Sequence, residues 1–182
     1  IKVAEISDLG AFLKFDLSED QIILLKTAIS YVSIDQARLN LETELDGFGW
    51  SFDEAHKNAR KVWNDLLGKI KVEGGTEADK LKFYTNLYRT YSSRTIFSDV
   101  NGKYVDMCEN VQQVDDFPVY GCDAFWGSFW NLNQLWSLAT PKMYEDWVNS
   151  LLELYDRGGW LPDAPGGLEY SSIMVAAHQV PF

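Results

Sequence analysis

The chain has 182 residues and 46% hydrophobic content, a one-domain length with enough apolar material to bury roughly 70% of its unfolded surface, so disorder is not the expectation. A formal net charge of −11 and a pI near 4.5 argue against nucleic acid and anionic membrane surfaces as partners, because both need a basic face. Two cysteines, Cys108 and Cys122, are too few for a disulfide framework, two histidines without a Cys/His cluster argue against structural zinc, and no apolar run reaches the ~18 residues of a membrane span.

In chain order, residues 1–5 (IKVAE) and 29–34 (ISYVSI) alternate as strands do, and Ile22-Ile23-Leu24-Leu25 reads as a further extended, buried run. A small N-terminal β region is therefore expected to end near residue 33. Ser33 with Gln36 has the spacing of a capping box and predicts a helix over Ile34–Leu45, broken by Asp46-Gly47-Phe48-Gly49. Ser51 with Glu54 predicts the next start. Phe52, Ala55, Ala59, Val62, Trp63, Leu66 and Leu67 form its stripe, and Gly68 is its stop. A third start falls at Thr76, after Gly74-Gly75, with Leu81, Tyr84, Leu87, Tyr88 and Tyr91 on one face.

Residues 95–121 lose the helical period. Asn101-Gly102 predicts a hairpin turn between two short extended pieces, and Asp115-Asp116-Phe117-Pro118 a loop. Asp123 is expected to open a helix running to about Leu138 that is apolar on nearly all sides, and so buried on most faces or lining a pocket. Thr140-Pro141 starts a further helix with Met143, Trp147, Val148, Leu151, Leu154 and Tyr155 as its stripe, ended by Gly158-Gly159. Residues 160–170 form a turn-rich loop, and a last helix starts near Ser171. No fixed-period repeat is present. Both ends are expected to lie inside a longer polypeptide.

With 7 Trp, 9 Tyr and 10 Phe, the chain carries many faces suited to stacking on the C–H faces of sugars, although core packing is the commoner use of such residues. Asp123, in Tyr120-Gly121-Cys122-Asp123-Ala124-Phe125-Trp126, serves as a helix N-cap or as a carboxylate gripping vicinal hydroxyls, and the two uses are compatible. Glu169, beside Tyr170 in a glycine- and proline-bounded loop, is a solvent-facing acid or a second sugar-binding carboxylate. An acid/base pairing of Asp123 with Glu169 needs a separation that sequence does not give. His178 is a partly buried helix histidine or a hydroxyl contact. Trp160 is a stacking platform or a loop anchor, and His56 carries no assigned role. No phosphate loop, Ser-His-Asp arrangement or metal signature occurs.

Gly74-Gly75-Thr76-Glu77 with Phe83-Tyr84-Thr85-Asn86-Leu87-Tyr88, then Phe97-Ser98-Asp99-Val100-Asn101-Gly102-Lys103-Tyr104, resembles the start of the catalytic domain in glycoside hydrolase family 92. Val148-Asn149-Ser150-Leu151-Leu152, Tyr155-Asp156 and Gly158-Gly159-Trp160-Leu161-Pro162 are similar to that family's following helix and loop. Ile29-Ser30-Tyr31-Val32-Ser33 and Ala37-Arg38-Leu39-Asn40-Leu41-Glu42 resemble its last sandwich strand and linker helix. The resemblance covers roughly residues 25–182.

The resemblance implies a mainly α chain with a small N-terminal β region. Residues 1–33 would be the C-terminal strands of a β-sandwich domain, 34–73 a helical linker, and 74–182 the first part of an (α/α)6 toroid. It implies a secreted, periplasmic or cell-surface, calcium-dependent, inverting exo-α-mannosidase whose partners are a glycan or mannoside substrate and the remainder of the same polypeptide. Asp123, Trp126, Glu169, Tyr170 and His178 would be substrate-binding. No catalytic residue is assigned, and the calcium ligands are expected in later segments. Cys122-Asp123-Ala124 stands where many members have Trp-Asp-Thr, and Trp126 where an arginine is common, which suggests a distinct branch. A non-catalytic carbohydrate-binding protein, or a glycosidase of other sugar specificity, is the alternative. A generic helical module is the third reading: convergence of Asp123, Trp126 and Glu169 on one cavity supports the first two, and scatter supports the third.

Overall fold

In the computed structural model, residues 12–16, 18, 21–92, 94–121, 125–162 and 180 are described. Small polar caps set most of the helices. Ser33, extended, accepts from Gln36 N–H and starts α1 (Ile34–Leu45). Ser51 accepts from Glu54 N–H and starts α2 (Phe52–Leu67), which Gly68 closes by donating to Asn64 O. Thr76 and Asp79 cap each other reciprocally at the head of α3 (Glu77–Tyr91). Of these three caps, only that at Thr76 is a complete capping box. Glu54 instead pairs with Lys57.

The expected strand over residues 29–34 is not formed: Ile34 is already helical, and residues 21–33 have no ladder partner among the described residues. Without a partner strand, alternation alone cannot satisfy the backbone. Ile22, Leu25 and Ile29 accordingly lie exposed, where the expected β region would bury them.

After α3 come four short strands: β1 (Thr95–Ile96), β2 (Lys103–Val105), β3 (Val111–Gln113) and β4 (Tyr120–Gly121). The Asn101-Gly102 turn does not join a hairpin pair. It turns β1 toward β2, yet β1 pairs antiparallel with β4 (Thr95 opposite Gly121), and β2 pairs with β3. The hairpin turn lies at 106–110. Asp106 accepts there from Cys108 N–H, Asn110 N–H and Gln112 Nε2. Burial pushes its carboxyl upward, but these hydrogen bonds outweigh that and hold its pKa below the usual carboxylate value.

The long helix expected from Asp123 is also interrupted. Phe125–Gly127 turn, Ser128–Trp130 make one 3-10 turn, and α4 (Leu132–Ala139) follows. Gly127 sits at φ 74°, left-handed backbone that an α-helix cannot contain. The segment is not buried on most faces, since Trp136 is 2% exposed but Leu138 84%, yet Asn131, Leu132 and Leu135 line a cleft of about 450 Å³ against Phe83 and Leu87 of α3, the other half of the expectation. The N-cap expected at Asp123 lies outside the described residues, as do the expected strand 1–5, most of the expected 160–170 loop and the helix expected near Ser171. Thr140 and Pro141 open α5 (Pro141–Gly158), although the Thr140 hydroxyl donates back to Trp136 O rather than capping forward. Gly159, at φ 83°, closes it.

Two apolar clusters result. Leu87, Tyr91, Trp136 and Trp147 join α3, α4 and α5, with Trp63, Leu66 and Leu67 of α2 packed against them. Phe97, Tyr104, Val119 and Leu154 join the strand region to α5.

Candidate functional site

Strand β4 ends at Gly121 and the described chain resumes at Phe125, so these two residues flank 122–124. Its foot is held in several ways. Tyr120 N–H donates to the Ser150 hydroxyl of α5, which is itself hydrogen-bonded to Asp146 O. Immediately before β1, Arg94 places its guanidinium 4.8 Å from the Phe125 ring centroid, 4.6 Å from Trp136 and 4.9 Å from Trp147. The two indoles stand edge to face at 4.9 Å. A weakly hydrated, planar cation suits such a cage better than an ammonium would.

The cage is foundation, not a binding cavity. The void among Arg94, Tyr120, Gly121, Phe125 and Trp147 is only about 10 Å³. The phenols around it are shifted by the same low-dielectric surroundings. Burial, then the Asp146 charge, pushes Tyr120 above its ordinary value. Burial pushes Tyr144 up, with the Arg94 charge opposing.

Above this foundation the segment 125–131 turns outward. Phe125 and Ser128 point in, at 2% and 3% exposure, with the Ser128 hydroxyl donating to Phe125 O. Trp126 and Trp130 face out, at 74% and 76%.

Of the residues singled out from sequence, Trp126 is thus an exposed indole beside this foot. Asp123, Glu169, Tyr170 and His178 lie outside the described residues. Trp160, at the end of α5, is 63% exposed, and His56 lies on α2 against Phe52. Sequence reading missed Arg94 and Trp130. The available signal for Arg94 was a lone cation between Arg89 and Lys103, and for Trp130 a second Trp in a run with no charge.

Two larger clefts, of about 450 and 610 Å³, share Glu44, Ile96, Ser98 and Asp99 and lie where α1 meets the turn before β2. Neither is lined by Trp126. Among the described residues no three His, Cys, Asp or Glu side chains converge as a group that could hold a metal ion. No helix among them is long and apolar enough to cross a membrane.

Residues 36–182 match the model of the glycosyl hydrolase family 92 catalytic domain. A protein of Arthroderma benhamiae described as an uncharacterized secreted glycosidase is 26% identical over 158 residues, which are 85% of this chain and 16% of that protein. A family GH92 alpha-mannosidase from Bacteroides thetaiotaomicron superposes with a TM-score of 0.74 at 28% identity, over 83% of this chain and 20% of that one. A family GH92 inverting mannosidase from the same organism superposes with a TM-score of 0.70 at 26% identity, with the same coverage. The chain therefore spans about a fifth or less of the relatives it matches.

Proposed function

The chain belongs to glycosyl hydrolase family 92, and on that premise we propose that it is part of a secreted, periplasmic or cell-surface exo-acting α-mannosidase that removes terminal α-mannosyl residues from glycans. The observation that carries the reading is the family match over residues 36–182 together with the 0.74 likeness to an α-mannosidase. In this reading 34–73 are a helical linker and 74–182 begin an (α/α)6 toroid, while residues 21–33, which have no ladder partner among the described residues, would pair only with strands of the remainder of the polypeptide.

This chain supplies binding rather than proton transfer. Asp123 accepts hydrogen bonds from two neighbouring sugar hydroxyls, with charge assistance. Trp126 offers an apolar face, and Glu169, Tyr170 and His178 add polar contacts. The reaction is an inverting displacement. A carboxylic acid gives its proton to the glycosidic oxygen as the bond to the anomeric carbon breaks, and a carboxylate takes a proton from the water that attacks the opposite face. Both carboxylates, and the ligands of the calcium, belong to the remainder of the polypeptide.

The Cys122-Asp123-Ala124 pattern and Trp126 in place of an arginine favour a second reading, a carbohydrate-binding protein without hydrolysis or a glycosidase for another sugar.

The test is mannose release from an α-linked mannobiose by the full-length parent, with and without a calcium chelator, beside Asp123→Ala. Chelator-sensitive release that falls by at least about a hundredfold in the variant is the expected result. Sugar binding without release under any condition would replace the first reading with the second.

A further inference from the structure

Segment 125–131, Phe-Trp-Gly-Ser-Phe-Trp-Asn, carries no charge in a chain of net charge −11. It is pinned from beneath by Phe125 and Ser128 and from the side by Gln134, whose Nε2 donates to Phe129 O at 3.2 Å. Phe129 meets Trp130 edge to face at 5.8 Å, so the outward indole is oriented by a neighbouring ring. Two overlapping turns, closed by Ser128 N–H to Phe125 O and Trp130 N–H to Gly127 O, keep Trp126 and Trp130 close in space. Their Cα atoms are within about 11 Å, from one Cα step plus one turn span.

An exposed, anchored pair of indoles on an uncharged segment is built for a neutral ligand with apolar C–H faces, not for a charged partner. In an exo-acting enzyme the terminal sugar is enclosed and the rest of the glycan trails outward over the surface. An indole 76% exposed suits the trailing part.

We propose that Trp130, beside Trp126, is a stacking platform for the glycan on the leaving-group side of the cleaved bond, and so a specificity-determining residue for oligosaccharide over simple mannosides. This rests on the α-mannosidase reading above.

The test compares Trp130→Ala and Trp130→Phe with the unmodified full-length parent in calcium. The two substrates are α-linked mannotriose and α-mannosyl fluoride, whose leaving group has nothing to stack. Trp130→Ala is expected to lower the ratio of kcat/KM for mannotriose to that for the fluoride about tenfold, the size of one lost ring contact. Trp130→Phe is expected to restore most of it. An unchanged ratio overturns the proposal. So does an equal loss on both substrates with a lower melting temperature, which would mean that the indole is covered by the rest of the polypeptide. A parent inert on both substrates would instead overturn the α-mannosidase reading, and this proposal with it.

Discussion

Asn40 and Asp99, far apart in sequence, are joined by a 2.7 Å hydrogen bond from Asn40 Nδ2 to Asp99 Oδ1, and both are buried. The same amide donates to Ile29 O and accepts from Val100 N–H, and Ser30 Oγ donates to Asp99 Oδ2. One side chain of α1 thus fastens the incoming chain to the turn before β2. Asn40→Ala leaves a buried carboxylate, a carbonyl and an amide short of partners. The expected loss in the full-length parent is about 2–3 kcal/mol, seen as a lower urea midpoint at unchanged slope. A loss under about 0.5 kcal/mol would mean that water replaces the amide.

Arg94→Met should destabilise by about 1–2 kcal/mol, because a cation over three rings is replaced by an apolar chain of similar length. Arg94→Lys should recover less than half of that, since a compact ammonium cannot lie flat among the rings. Chemical unfolding followed by tryptophan fluorescence reads both. Equal stability of the Lys variant and the parent would reduce the cage to a point charge.

Tyr104 is fully buried and donates to Glu153 Oε1 at 2.6 Å, while Arg157 Nε donates to the same oxygen. Burial first, then the Glu153 hydrogen bond and charge, pushes its pKa well above the ordinary value of 10, with Arg157 opposing. The neutral phenol is therefore favoured in the fold. Its contribution is complete below pH ~10, where the unfolded phenol is still protonated, and is lost as pH rises toward the higher folded value. Tyr104→Phe should cost about 1 kcal/mol at pH 8, with the gap to the parent narrowing above pH ~10. A gap that widens there would reverse the assignment.

Gly102 has φ +79°, and a Cβ built on it would lie 1.8 Å from Val114 O. Backbone cannot yield as a flexible side chain can. Gly102→Ala is expected to cost at least about 2 kcal/mol, with a correspondingly lower melting temperature. A neutral result would require the β2–β3 hairpin to sit differently against this turn.

Local chemistry made the helices legible. Ser33, Ser51, Thr76, Gly68 and Gly159 act as caps where their spacing placed them, and α1, α2 and α5 run as expected. What failed was non-local. Asn101-Gly102 has the chemistry of a hairpin turn, but which strands pair depends on Tyr120 and Gly121, and no turn rule reaches that far. The alternation at 29–34 looked the same whether or not a partner strand stood beside it. The run after Phe125 hid its break because one glycine at φ 74° outweighs a continuous apolar pattern. Of the residues singled out as site candidates, Trp126 is described, as an exposed indole beside the Arg94 cage. Arg94 was not legible, because a cage contributed by three separate elements leaves no local spacing to read.

The β1–β4 ladder has a further consequence. It clasps the chain at residues 95 and 121, and everything between returns to the same point. That excursion has its own apolar centre in Phe97, Tyr104 and Val119, and it reaches the helices through Leu154, the Tyr104–Glu153 contact, the Asn40–Asp99 hydrogen bond and the Ser150 hydroxyl. A stretch tied at its base and filled from within opens as one unit. Its buried amides are expected to exchange hydrogen at a common rate set by release of that clasp, apart from the helical amides packed on Trp147.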